Sequence, residues 1–188
     1  MALTGAHGTG KTTLTHSVAD RLQSETKIAV TSEVPRLFIE EINDPTFFQR
    51  GNNSFSRQTL IVARQIELEA TLHGITVLLC DRTIVDHWAY TEILFPNSVA
   101  TVEGRSWKQI VGRWLNSYSS IYRLPIEFPI ELDGVREADV EFQREIDDRI
   151  VALYREFGRS VETISGAKEI RENRLVDVIR RLIANAET

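Results

Sequence analysis

Cysteine occurs once in the 188 residues, at Cys80, which excludes a disulfide within the chain and suits a reducing cytoplasm. Cys80 closes the apolar run that starts at Val77, so it reads as a small buried residue rather than a nucleophile. A basic surplus is missing as well. With a net charge of −5, no global positive field draws the chain to nucleic acid or to an anionic membrane, though a local basic groove stays compatible with that balance. No apolar stretch approaches the ~20 residues of a membrane span. The first residues enter a glycine-rich loop too soon for a secretory leader, so the expected location is cytoplasmic, with no membrane partner. The four histidines show no metal-ligand spacing.

The chain does contain enough apolar material for a full core: 42% of residues are hydrophobic and 26% charged. Its length suits one domain, so residues 1–188 are expected to form a single unit. Gly5-Ala6-His7-Gly8-Thr9-Gly10-Lys11-Thr12 is a complete G-x-x-x-x-G-K-[ST] pattern. It stands between the short apolar lead Met1 to Leu3 and a helical stripe, Leu14, Val18 and Leu22. That chemistry needs these residue types. Glycines let backbone N–H groups close around phosphate oxygens, and the next helix adds positive potential at its N-terminus. Lys11 supplies a mobile ammonium for the β- and γ-phosphates, Thr12 offers its hydroxyl to Mg²⁺, and His7 lines the loop. The pattern implies binding of a nucleoside triphosphate.

β-type runs at Met1–Thr4, Lys27–Thr31, Thr76–Cys80, Ser120–Leu124 and Val161–Ser165 alternate with helical patterns. Such alternation predicts right-handed crossovers and an α/β fold: a five-stranded parallel sheet in a three-layer α/β/α sandwich. One helix is expected from the cap Ser54 to about His73, with Ile61, Leu68 and Leu72 on a shared face and Gly74 as the stop. A second runs from the cap Asp139 to Gly158 with the stripe Phe142, Ile146, Ile150, Leu153 and Phe157. A third ends the chain along Leu175, Val176, Ile179, Leu182 and Ile183. Asn43 to Asn53 and Pro125 to Asp139 are rich in turn residues and read as mobile, either functional covers or disordered segments.

Residues beyond the phosphate loop disfavour several of its known uses. A signalling GTPase needs D-x-x-G and N-K-x-D, and neither string occurs. A mechanical ATPase of the AAA+ type would end its third strand with Asp-Glu, the Glu activating water; here the strand leads to Asp81-Arg82-Thr83. Asp81 suits the magnesium side. Arg82 cannot activate water, but it can hold a phosphate or an acceptor anion, unless the pair is simply a strand-end ion pair. Glu33, after the second strand, either takes the proton of an attacking hydroxyl or caps the helix through Leu37 to Ile42, and Arg36 beside it can reach a phosphate or acceptor. Arg64 borders an apolar helix face, so it either meets a structural carboxylate or reaches a pocket. Gln58 and Gln65 beside it favour the pocket. Arg136, after the bend Asp133-Gly134, is either carried to the transferring group by a flap or is an exposed loop arginine.

Taken together, the loop at Gly5–Thr12, Glu33-Val34-Pro35-Arg36, Arg64 and Asp81-Arg82-Thr83 resemble the P-loop nucleoside and nucleotide kinases. In pattern the chain is similar to the thymidylate kinase and deoxynucleoside kinase group and to ribosylnicotinamide kinase-like domains. The resemblance implies a P-loop NTPase fold with a lid segment at about 125–149, and ATP and Mg²⁺ as cofactors. It further implies that Lys11 and Thr12 serve ATP and magnesium, Glu33 the acceptor hydroxyl, Arg64 and Arg82 the acceptor, and Arg136 the lid. A small nucleoside-like acceptor with a hydroxyl group is favoured. Hydroxymethylated bases in DNA, a homodimer, and a slow ATPase switch that reports to a protein partner stay open.

Overall fold

The computed structural model describes residues 1–31, 33–48, 51–128 and 139–186. Five strands form where the apolar runs lie: β1 (Ala2–Thr4), β2 (Ile28–Thr31), β3 (Val77–Asp81), β4 (Ile121–Arg123) and β5 (Glu162–Thr163). Every neighbouring pair is parallel, in the order β2-β3-β1-β4-β5. The helices among the described residues are α1 (Lys11–Leu22), α2 (Val34–Ile42), α3 (Phe55–Thr71), α4 (Ile84–Leu94), α5 (Pro96–Val99), α6 (Val102–Trp114), α7 (Val140–Glu156) and α8 (Lys168–Ala186).

Successive strand residues point to opposite faces, and a parallel sheet must bury both. Leu3 and Leu79 meet Leu14, Val18 and Leu22 of α1 and Leu175, Val176 and Ile179 of α8. Their neighbours Ala2 and Cys80 face the other way, onto Trp88 of α4, Val111 of α6 and Ile146, Ile150 and Leu153 of α7. The result is the α/β/α sandwich expected from the sequence. Because the strand order reverses at β1, a crevice opens at the carboxyl ends of β1 and β3, the place where open sheets collect ligands.

Local chemistry sets the helix starts. Ser54 Oγ accepts from the Arg57 N–H at 3.2 Å to begin α3, and Asp139 accepts from the Phe142 N–H at 2.9 Å to begin α7. The α3 stripe ends sooner than expected: Leu72 already has extended backbone and is exposed, so its helical phase no longer aims it at the core. Helix α6 carries no clear sequence signal. Its Gly104 lies against the carbonyls of Ser98 and Val99, and its Gly112 against the Phe157 ring, so both glycines serve close packing.

The strongest internal tie is Asp86, which is fully buried on α4. Its Oδ1 accepts from Thr4 Oγ1 at 2.9 Å and from the Gly5 N–H at 2.8 Å. Its Oδ2 accepts from the Thr83 N–H at 2.6 Å and from Thr83 Oγ1 at 2.8 Å. One carboxylate thus closes the capping box of α4 and holds the end of β1. Asp86→Ala strands these donors in the core and is expected to cost about 3 kcal/mol or more. Urea unfolding checks this; a loss under about 1 kcal/mol would contradict it.

Candidate active site

Gly5, Gly8 and Gly10 have φ of 141°, 74° and 86°, left-handed conformations that side chains resist. A Cβ on Gly5 would stand 2.5 Å from the carbonyl oxygen of Leu124, the residue after β4, so that close approach also requires the glycine. The loop these residues form ends on the first turn of α1. Lys11 folds back over it, donating to the Ala6 carbonyl at 2.6 Å and to Thr9 Oγ1 at 3.2 Å. Burial first, and the Arg82 guanidinium second, pull the Lys11 ammonium down to about 7. His7, within the loop, has Nδ1 2.8 Å from the Tyr90 hydroxyl.

Across the crevice, Thr12 Oγ1 donates to Asp81 Oδ2 at 2.6 Å. Asp81 Oδ1 is buried and has no hydrogen-bond partner among the described residues. Burial therefore raises the Asp81 carboxyl above its usual range, against the opposing pull of the Thr12 hydrogen bond. A hydroxyl next to an undercompensated carboxylate fits a hard divalent cation. Among the described residues no group of three His, Cys, Asp or Glu side chains could hold a metal ion.

Glu33 closes the far side. Its Oε1 accepts from Arg82 Nε at 3.0 Å and Nη2 at 2.8 Å, a fork with both partners buried. Its Oε2 accepts from Arg36 Nε at 3.0 Å. Glu33 stands at the head of α2, but its side chain makes no cap hydrogen bond; the arginines take it instead. Arg82 has φ of 93°, uncommon outside glycine, and such backbone strain concentrates at functional sites. Burial opposes the Arg82 charge, yet Glu33 and the nearby acids outweigh it and raise its pKa. His87, one turn along α4, is buried and pushed down to about 3 by that burial and by Arg82, so it is neutral at pH 7.

The remaining sequence candidates fall in several places. Gln58 and Gln65 are buried on α3, and Gln65 Nε2 donates to Glu69 at 2.5 Å. Arg64 pairs with Glu67 at 2.8 Å and Glu41 at 3.0 Å, the structural-carboxylate alternative, and so joins α3 to α2. Arg136, with its bend Asp133-Gly134, lies outside the described residues.

A family model described as an AAA domain matches residues 1–171. The chain belongs to the AAA domain family of P-loop NTPases. This AAA domain departs from the Asp-Glu strand end expected of the mechanical type, since Arg82 follows Asp81. No curated protein matches it in sequence. In structure it is similar to a deoxyadenosine kinase from M. mycoides with bound dATP, at TM-score 0.63 and 11% identity over 95% of this chain and 98% of that one. A second structure of that enzyme, with products dCMP and a flexible dCDP bound, gives TM-score 0.58 and 12% identity over 98% of each chain. At these identities the likeness establishes the fold of the AAA domain.

Sequence reasoning missed Asp86, Gln143 and Arg171. Thr83 three residues before Asp86 is a capping-box signal that points to the first. Gln143 and Arg171 touch the loop only through tertiary packing, and no local pattern marks them.

The depressed Lys11 ammonium has a measurable sign. Below about 7 both folded and unfolded chains hold its proton; between about 7 and 10.5 only the unfolded chain does, so the free protein gains stability as pH rises through that window. Lys11→Met is therefore expected to be more stable than the parent at pH 7, with an advantage that shrinks toward pH 10 by at most about 1.4 kcal/mol per pH unit. Urea midpoints of both proteins across that range check it; an advantage independent of pH would contradict it.

Proposed function

We propose that the chain is an ATP- and magnesium-dependent kinase that transfers the γ-phosphoryl group to a hydroxyl of a nucleoside-like acceptor. The observation that carries this reading is the buried fork of Arg82 on Glu33, next to Asp81. A mechanical ATPase places a Glu directly beside the magnesium-side Asp to activate water. Here the residue beside Asp81 is a guanidinium, and the nearby carboxylate is Glu33, set at the strand end where an acceptor would lie. The fold's similarity to a protein named as a deoxyadenosine kinase supports an acceptor of nucleoside size.

On this reading, Thr12 and Asp81 would hold Mg²⁺, which supplies charge neutralisation at the β- and γ-phosphates. Gly8, Thr9 and Gly10 give backbone donors to the phosphates, while the Gly5 N–H stays on Asp86 and Gly5 supplies the turn. Lys11 exchanges its internal contacts with Ala6 and Thr9 for phosphate oxygens, and regains the charge that burial disfavours. Glu33 accepts the acceptor's hydroxyl proton, while Arg36 and Arg82 hold Glu33 in orientation and compensate negative charge that develops between donor and acceptor. Gln58 on α3 borders the acceptor. Arg136 would add positive charge at the transferring group, and Arg64 braces α3 against α2 through its carboxylate pairs.

Glu33→Gln is expected to lower kcat by about a hundredfold or more while changing the KM for ATP less than about threefold. Steady-state transfer of labelled phosphate to a panel of nucleosides checks this. Unchanged turnover in Glu33→Gln removes the base assignment, and steady hydrolysis with no transfer to any acceptor supports a nucleotide-dependent switch instead.

A further inference from the structure

Two carbonyl oxygens of the phosphate loop are held from outside by residues far along the chain. Gln143 Nε2, on α7, donates to the His7 carbonyl at 2.6 Å, and Arg171 Nη1, on α8, donates to the Thr9 carbonyl at 3.0 Å. Both donors are buried, at 1% and 4% exposure, where an amide or guanidinium is tolerated only if it is satisfied. Arg171 is fixed at its other nitrogens too. Its Nε donates to the Gly166 carbonyl at 2.7 Å and its Nη2 to Glu127 Oε2 at 2.6 Å. The same Glu127 oxygen accepts from the Gly166 N–H at 2.8 Å. The guanidinium is thus held in a knot that joins the loops following β1, β4 and β5.

Peptide geometry gives these contacts a consequence for ligand binding. In a trans peptide the C=O of one residue and the N–H of the next point in opposite directions, and no cis bond occurs among the described residues. Drawing the His7 and Thr9 carbonyls outward turns the N–H groups of Gly8 and Gly10 the other way, toward the concavity of the loop. Both of these glycines have positive φ, and such residues offer little steric resistance to a flipped peptide plane. A flip would present carbonyl oxygen to phosphate in place of N–H. The orientation therefore needs an outside hold, and Gln143 and Arg171 supply it.

We propose that Gln143 and Arg171 are positioning residues that set the phosphate-binding amides of Gly8 and Gly10 before any ligand arrives. This inference rests on the reading of the loop as a triphosphate site, and inorganic tripolyphosphate probes it without an acceptor or a reaction. Gln143→Glu keeps the shape but replaces the donor with an acceptor that opposes the His7 carbonyl. Arg171→Lys keeps a cation but cannot reach all of its partners. Glu127→Gln, at a partly exposed position, loosens Arg171 with the least disturbance of the core and carries the test where Arg171→Lys does not fold.

Calorimetric titration of the full chain with tripolyphosphate is expected to show about tenfold weaker binding for Gln143→Glu and for Arg171→Lys, and a smaller loss for Glu127→Gln. Their melting temperatures should stay within about 5 °C of the parent. Variants that melt earlier but bind tripolyphosphate like the parent would overturn the positioning role and leave a purely structural one. A parent chain that does not bind tripolyphosphate would overturn the triphosphate reading itself, and this inference with it.

Discussion

The Asp86 carboxylate is the constraint on which the site depends. It takes donors from both walls of the crevice: Thr4 and Gly5 where β1 enters the phosphate loop, and Thr83 where β3 turns into α4. Hydrogen bonds to a buried ionised group are the strong ones, and the penalty for leaving any of these donors unmatched exceeds the net gain of a single bond. Fixing both strand ends to one carboxylate sets the separation of Lys11 and Thr12 from Asp81 and Arg82. The left-handed backbone at Arg82 lies one residue from Thr83, inside the reach of that anchor.

Around this anchor several buried charged groups are only partly compensated. Lys11 loses much of its preference for charge through burial, Asp81 is raised by burial, and one Asp81 oxygen has no partner among the described residues. Each of these costs stability in the free chain, and each would be relieved by a magnesium-bound polyphosphate. Glu33 is treated differently. Two guanidiniums hold it in place, which keeps a buried carboxylate oriented toward the crevice while the neutral His87 adds no competing charge nearby.

Most of the fold was legible because its signals are local. The five strands coincide with short apolar runs, Ser54 and Asp139 cap the helices they precede, and the phosphate loop is continuous in sequence. Helix α6 was hidden by Gly104 and Gly112, which look like breakers until the neighbouring carbonyls and the Phe157 ring explain them. Within the site, Lys11 and Thr12 could be named in advance from the loop pattern, and Asp81, Arg82 and Glu33 because each lies just past or at a strand end. Arg64 could not be decided between its two readings, since Glu41, one of its partners, comes from another helix. Gln143 and Arg171 were invisible for the same reason: they meet the loop from 136 and 162 residues away.

The central claim is that the outermost phosphoryl group passes to an alcohol rather than to water. Phosphorus NMR of the protein with magnesium, ATP and a mixture of nucleosides separates the two most directly. The account predicts a new phosphomonoester resonance that grows in step with ADP. Growth of inorganic phosphate alone, in step with ADP and with no ester signal, would contradict it.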